Sequence, residues 1–240
     1  MIVVLAIDAL EYSLVERFSC SNLKQKYYGK TDISEFSEPR TMVLWSSFLT
    51  GTNMEQRVLS MGNTAMWSFK MNIQETFFRQ FNNPVIIDLP GFSYDVEIHR
   101  QEREMLRQFF EVQDKEEKDA IRKEYNDKAF EHHRRIKKLF GEALKAEKDI
   151  VLAYFSIADV IGHLNFSNRG LMKMIYRDLD EIAGRVPSPM IILSDHGMKE
   201  VGIFGDHSNY GFWSTGLKDL ETPRMTDFSR IIPNISIIAK

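Results

Sequence analysis

The sequence predicts an α/β domain built around a mostly parallel sheet. Apolar runs rich in β-branched residues recur along the chain at Ile2–Ile7, 85–88, Ile150–Phe155 and 190–193. Uninterrupted apolar runs of this length are typical of strands that are buried on both faces of a parallel sheet. Helical patterns separate the runs, and such alternation of strands and helices produces a layered domain. The four runs are therefore the predicted strands, in chain order.

A charged segment over residues 97–148 is predicted to be helical. It lacks proline and carries both charge signs, and apolar residues recur near helical spacing from Ile121 to Phe140. We expect one long helix or a helical pair within a single domain of residues 1–240. A scaffold with a solvated face is favoured, and a lid or substrate-facing arm is the alternative. His132 and His133 point about 100° apart on a helix, so we expect them at the surface rather than on one metal.

Composition excludes several classes of protein. The 240 residues include 31 Lys and Arg against 34 Asp and Glu, a net charge of −3, which gives no reason to expect a nucleic acid polymer or an anionic membrane as partner. No apolar stretch approaches the roughly 20 residues of a membrane span. The single cysteine, Cys20, excludes an intrachain disulfide and a cysteine-based zinc site, and it predicts a reducing, cytoplasmic location.

Asp and His residues follow three of the predicted strands, where ligand sites of open α/β sheets lie. Asp8 comes directly after the first strand, although it could equally cap the next helix with Glu11 as its partner. Asp159 and His163 follow the third strand at i and i+4, so they share one helix face. Taken alone, that spacing is more often structural than functional.

The fourth predicted strand leads into a narrower pattern. Asp195 and His196 stand before a glycine, and a carboxylate with an imidazole at a strand end suits a divalent cation. His207 follows in a glycine-bounded loop over residues 205–211. Asp206 is either the partner that orients His207 or a bystander.

Thr41 is the candidate nucleophile. It follows Pro39 and begins a helical run that stops at a Thr-Gly pair. A hydroxyl at a helix N-terminus sits in positive potential, which favours its alkoxide and a bound anion. The alternative is that Thr41 serves only as a helix cap.

Taken in order, these motifs resemble the alkaline phosphatase superfamily, most closely its type I phosphodiesterase/nucleotide pyrophosphatase branch. The resemblance implies a three-layer sandwich and two divalent metal ions, usually zinc, with manganese also suited to the ligands. One ion would be held by Asp159, His163 and His207. The other would be held by Asp8, Asp195 and His196, with Thr41 bridging toward it.

The resemblance also implies a function: hydrolysis of a phosphodiester or nucleotide pyrophosphate bond through a phosphothreonine on Thr41. The substrate would be a small phosphorylated molecule, including nucleotide-like ones. A phosphomonoesterase or phosphomutase on the same metals is one alternative, and a metal-binding, non-catalytic regulatory module is another. Oligomeric state stays open.

The phosphate pocket departs from the family pattern. The asparagine expected to bind a phosphate oxygen is one position late, at Asn63, and Arg40 or Arg57 could supply positive charge instead. An aromatic set could line a pocket for a base or lipid-like group, but its spacing favours core packing. The set comprises Trp45, Trp67, Phe69, Phe77, Phe78 and Phe81.

Overall fold

The central sheet is mixed but mostly parallel. A computed structural model describes residues 1–187 and 189–238, and within them the strands are β1 (Ile2–Ile7), β2 (Tyr27–Asp32), β3 (Pro84–Ile87), β4 (Ile150–Phe155), β5 (Met190–Ser194), β6 (Met198–Val201), β7 (Phe204–His207) and β8 (Tyr210–Thr215). Six of these described strands form one sheet in the order β2-β8-β5-β1-β4-β3, and β6 and β7 form a separate antiparallel pair. β5, β1, β4 and β3 are parallel, whereas β8 is antiparallel to both neighbours. The predicted α/β class is confirmed.

Helices cover both faces of this sheet. They are α1 (Tyr12–Arg17), α2 (Thr41–Thr50), α3 (Glu55–Leu59), α4 (Gly62–Ala65), α5 (Val96–Glu111), α6 (Lys115–Ala143), α7 (Ile157–Asn165), α8 (Arg169–Gly184) and α9 (Phe228–Ile238). Side chains of α1, α5, α6, α7 and α8 pack in one core, and those of α2, α3 and α9 pack in the other. No helix in the described residues is both long enough and apolar enough to cross a membrane.

β1 shows why the strand sequences are apolar throughout. All of its residues are buried, because alternate side chains point into opposite cores. Val3, Leu5 and Ile7 enter one core, and Ile2, Val4 and Ala6 enter the other. Because β1 pairs in parallel with both β4 and β5, the carboxyl ends of the three strands lie at one edge of the sheet.

The charged segment is a helical pair. α5 ends at Glu111, and Asp114 caps α6 by accepting a hydrogen bond from the Glu117 backbone N–H at 2.9 Å. The prediction that His132 and His133 lie at the surface is wrong, because they are only 4% and 8% exposed. α6 packs against α5 on one side and against β4 and α7 on another, so two of its faces are covered.

Candidate metal centre

Asp and His side chains gather where the central parallel strands end. Asp8 follows β1 directly, and Asp195 and His196 follow β5. Asp159 and His163 lie on α7, the helix that follows β4. Since these strand ends meet at one edge of the sheet, the loops and helices that leave them place the five side chains around a common cleft.

The side chains form two groups of three, and the ligand-type atoms within each group lie within 4.8 Å of one another. One group is Asp159, His163 and His207, and the other is Asp8, Asp195 and His196. His207 reaches the cleft from the end of β7, and its ring stacks on that of His196 with centroids 3.9 Å apart. The structure thus brings together all six side chains that the sequence singles out as candidate ligands.

Distances within the groups suit an ion between the side chains. His163 Nε2 and His207 Nε2 lie 3.3 and 3.5 Å from Asp159 Oδ1, and His196 Nε2 lies 3.3 Å from Asp8 Oδ1 and 3.4 Å from Asp195 Oδ2. Ligands on a tetrahedral zinc with bonds of about 2.0–2.1 Å are separated by roughly 3.3–3.4 Å. The residues present therefore fit a divalent cation in each group.

The other nitrogen of each histidine is engaged elsewhere. Nδ1 faces a backbone carbonyl oxygen in all three cases: His163 at Gly205 (3.4 Å), His196 at Gly197 (3.1 Å) and His207 at Pro39 (2.9 Å). Donation from Nδ1 to a carbonyl fixes the tautomer and leaves the Nε2 lone pair directed at the group. Burial also lowers the pKa of His196 to about 3, which keeps this ring neutral.

Several atoms that face the two groups are buried without a hydrogen-bond partner. They are Oδ1 of Asp8 and Asp159, both carboxylate oxygens of Asp195, and Nε2 of His196 and His207. Buried polar atoms in folded proteins are normally paired, and an unpaired one is costly. Burial and the adjacent Asp195 carboxylate raise the pKa of Asp8, and burial raises the pKa of Asp195 to about 8. A cation in each group would satisfy these atoms and offset the repulsion.

Asp8 does not cap α1. Glu11 is the cap, and its carboxylate accepts a hydrogen bond from the Ser13 backbone N–H at 3.0 Å. The same carboxylate accepts from the Met198 backbone N–H (3.1 Å) and from the Tyr210 hydroxyl (2.7 Å), which ties the start of β6 to β8. Glu11 therefore supports the loops around the site, and Asp8 is left free to face it.

Tyr154 of β4 supports Asp8 directly. Its buried hydroxyl donates a hydrogen bond to Asp8 Oδ2, and Asp8 Oδ1 faces His196. A donor on the distal oxygen of a ligating carboxylate fixes the orientation of the other oxygen. Sequence reasoning missed this residue, because a tyrosine in an apolar strand has no signal that separates it from core packing.

Thr41 is the first residue of α2, and the cap is Arg40, which makes no side-chain capping bond. The alternative that Thr41 serves only as a helix cap is therefore wrong, because the cap lies one position earlier. Thr41 is 7% exposed and lines a cavity of about 230 Å³ together with Asp8 and Asp159. Thr41 therefore shares a cavity with side chains of both groups and lies at the positive end of a helix.

The predicted phosphate-binding residues lie outside this cavity. Arg40 Nη1 donates a hydrogen bond to Asn63 Oδ1 at 3.1 Å near the start of α2, but neither residue lines the cavity. Arg57 pairs with Glu75 at 3.0 Å and is half exposed. Their positions give no support to a phosphate-binding role for these three residues.

Asp206 is a bystander to the His207 ring. Its side chain is exposed and accepts a hydrogen bond from the His207 backbone N–H at 2.8 Å, while the ring nitrogen Nδ1 faces the Pro39 carbonyl oxygen.

Of the aromatic set named above, Trp67 lines the cavity, whereas Trp45, Phe77 and Phe78 are buried in the core.

The far wall of the cavity comes from α5 and the loop before it. It includes Tyr94, His99, Glu102 and Arg103. This part of the charged segment therefore lines the cavity, and α6 contributes Tyr125 to the same lining. The substrate-facing arm stays a prediction. Sequence reasoning missed these residues, because a charged helix face that lines a cavity has the same sequence pattern as one that faces solvent.

Asp88, His99, Glu102 and His132 form a third cluster, at the end of β3. His99 uses both ring nitrogens, with Nε2 2.9 Å from Asp88 Oδ2 and Nδ1 2.8 Å from Glu102 Oε2. His132 Nε2 also lies 2.9 Å from Asp88 Oδ2, at an angle too poor for a hydrogen bond. Asp88, His99 and His132 also lie close enough together to hold an ion, but both ring nitrogens of His99 are at hydrogen-bond distance from carboxylates, so His99 has no free lone pair. The cluster is therefore a buried ion-pair network.

The pKa values of this network follow from the same contacts. Burial opposes charging of both rings, but the carboxylates of Asp88 and Glu102 raise the pKa of His99, and they raise the pKa of His132 to about 9. In turn, both histidines lower the pKa values of Asp88 and Glu102 against the effect of burial. A signal was present in the sequence, because Asp88 is the last residue of the predicted strand 85–88, much as Asp8 directly follows the first strand.

Comparison with known proteins gives a distant structural similarity. No protein-family model matches the sequence, and no curated protein matches it. Among solved structures, the chain is similar to murine ectonucleotide pyrophosphatase/phosphodiesterase 5, with a TM-score of 0.47 and 13% identity. The match covers 84% of this chain and 58% of the murine chain, so this chain spans just over half of that protein's length. At this level the similarity assigns no residue role.

Proposed function

We propose that this chain is a two-metal phosphohydrolase of the alkaline phosphatase type. It would cleave a phosphodiester or nucleotide pyrophosphate bond of a small substrate through a phosphothreonine on Thr41. One observation carries the proposal: unpaired atoms converge in two groups of three ligand-type side chains, and members of both groups line one cavity together with the buried Thr41. Mixed imidazole and carboxylate ligands favour zinc, with manganese as the alternative.

Thr41 would act as an in-line nucleophile. Its Oγ1 forms a bond to phosphorus as the bond to the leaving oxygen breaks, and the threonine proton passes to solvent. Water then attacks phosphorus on the opposite side, the bond to Oγ1 breaks, and the hydroxyl is restored. The two divalent ions, when bound, supply stabilisation of charge on the attacking and leaving oxygens. The N-terminus of α2 adds positive potential at Oγ1.

The remaining residues hold this arrangement in place. Asp159, with His163 and His207, would hold one ion, and Asp8, with Asp195 and His196, would hold the other. Tyr154 and Glu11 orient the ligands from behind. The cavity volume of about 230 Å³ supports a small substrate rather than a polymer.

The experiment is hydrolysis by the purified chain, loaded with zinc or manganese, of bis-p-nitrophenyl phosphate and of p-nitrophenyl phosphate. We expect the diester to be preferred and Thr41→Ala to lose about a thousandfold or more in turnover while two ions per chain are retained. Thr52→Ala, at an exposed threonine just beyond the same helix, is the matched control and keeps the wild-type rate.

Other outcomes would change the proposal in defined ways. A Thr41→Ala variant that turns over at the wild-type rate would remove the nucleophile. Preference for the monoester, or transfer to a second hydroxyl, would favour a phosphomonoesterase or phosphomutase. A fully metallated chain that is inert toward diesters, monoesters and pyrophosphates would favour a non-catalytic metal-binding module.

A further inference from the structure

One wall of the cavity carries an arginine that forms no ion pair with a carboxylate in the part of the chain that the structure describes. Arg103 of α5 lines the same cavity as Thr41. Its nearest partners are uncharged: Nη1 lies 3.5 Å from the Tyr94 hydroxyl, and Cζ lies 4.0 Å from the centroid of the Trp67 ring. In the described residues, no carboxylate oxygen comes within 4.0 Å of this guanidinium.

Neighbouring arginines on the same helix behave differently. Arg100 pairs with Glu97 at 2.7 Å, and Arg107 pairs with Glu104 at 2.6 Å, and both arginines are more than half exposed. Arg103 is instead partly buried, and a cation that is withdrawn from water without an anion is costly. An anionic ligand in the cavity would offset this cost.

The geometry suits a planar or tetrahedral anion. Stacking on Trp67 fixes the guanidinium plane, which leaves N–H groups at its edge for bidentate bonding to a carboxylate or a phosphate. Glu102 also lines the cavity and attracts Arg103 without forming an ion pair with it, because its carboxylate is in contact with His99 and His132.

We infer that Arg103 is a binding residue for a second anionic group, a carboxylate or a phosphate, on the substrate whose phosphate is cleaved beside Thr41. The inference rests on the proposed function, because the metal groups are taken to hold the first phosphate. It narrows the substrate class to small molecules with two anionic groups, which are phosphorylated acids or compounds with two phosphates. One group would bind at the strand ends and the other at α5.

Calorimetry with phosphonates tests the inference without turnover. The probes are ethylphosphonate, 3-phosphonopropionate and 1,2-bisphosphonoethane, which share one phosphonate and differ in the second group. They are titrated into the zinc-loaded wild type, Arg103→Gln, Arg103→Lys and the control Arg100→Gln. We expect the wild type to bind at least one two-anion probe about 10- to 100-fold more tightly than ethylphosphonate. Arg103→Gln loses that preference, Arg103→Lys keeps part of it, and Arg100→Gln keeps all of it.

The two-anion probes distinguish a carboxylate from a phosphate as the second anionic group, and the variants show whether Arg103 binds it. A preference for 3-phosphonopropionate identifies a carboxylate, and a preference for 1,2-bisphosphonoethane identifies a phosphate. A wild type that binds all three probes equally overturns the inference, as does an Arg103→Gln variant that weakens all three equally. Neither result touches the proposed function, which the hydrolysis of bis-p-nitrophenyl phosphate tests separately.

Discussion

Gly205→Ala is predicted to damage one metal group and spare the other. Gly205 lies on β7 two residues before His207, and it packs against Gly162, the neighbour of His163 on α7. A Cβ on Gly205 would lie 2.3 Å from Met198 Sδ and 2.7 Å from the Gly162 carbonyl oxygen. The methionine can rotate away, but the helix carbonyl cannot.

The size of the displacement follows from these contacts. Ordinary van der Waals contact begins at 3.4 Å, so β7 and α7 must separate by about 0.7 Å. Metal sites tolerate deviations of about 0.2 Å in ligand distances. Because His207 is on β7 and Asp159 is on α7, we expect the affinity of their group for zinc to fall by about 10- to 100-fold. Overpacking is expected to lower the free energy of unfolding by about 1–3 kcal/mol.

Zinc titration against a competing chelator measures the two affinities, and urea unfolding in EDTA measures the packing cost without metal. Gly141→Ala is the matched control, because a Cβ there meets nothing within 4 Å and alanine favours the helix by about 1 kcal/mol. It should keep both affinities and gain stability. If Gly205→Ala bound two zinc ions with wild-type affinity, the assignment of His207 to the same ion as Asp159 would be refuted.

Two further predictions concern the residues behind the site. Tyr154→Phe keeps the ring but removes the hydrogen-bond donor to Asp8, so the zinc affinity of the Asp8 group should fall about 10- to 100-fold. The group of Asp159 is the internal control. An unchanged zinc affinity of the Asp8 group would contradict the prediction. In the third cluster, the raised pKa of His132 contributes stability that is complete below its ordinary pKa of 6.5 and is lost as pH rises through about 9. Urea unfolding in EDTA should therefore show that the free energy of unfolding of the wild type falls from pH 6.5 to 9. The fall should be shallower in His132→Gln, by at most about 1.4 kcal/mol per pH unit. Equal slopes in the two proteins would contradict the ion-pair assignment.

The sequence predicted what depends on local pattern. Uninterrupted apolar runs predicted β1 and β4 with their observed bounds, because burial on both faces leaves no polar position. Chain order also predicted that Asp and His side chains gather at one edge, since parallel strands end there, whereas their division into two ligand groups came from the family resemblance. The partners of Thr41 and His207 across the cavity required tertiary packing, and so did the distinction between Asp88, which binds histidines, and Asp8, which faces a candidate ion site.

α5 shows why charge patterns alone mislead. The side chains of one face line the cavity, at positions 99, 102, 103 and 106. The side chains of the other face form salt bridges with one another and face solvent, at positions 97, 100, 104 and 107. Both faces are rich in charge, so composition cannot separate them, but the spacing of three and four residues is helical on each. What distinguishes the cavity face is pairing: Arg100 and Arg107 have acidic partners one turn away along the helix, and Arg103 has none among the described residues. An arginine without an i±3 or i±4 acid in a charged helix is therefore the residue to test first for a ligand.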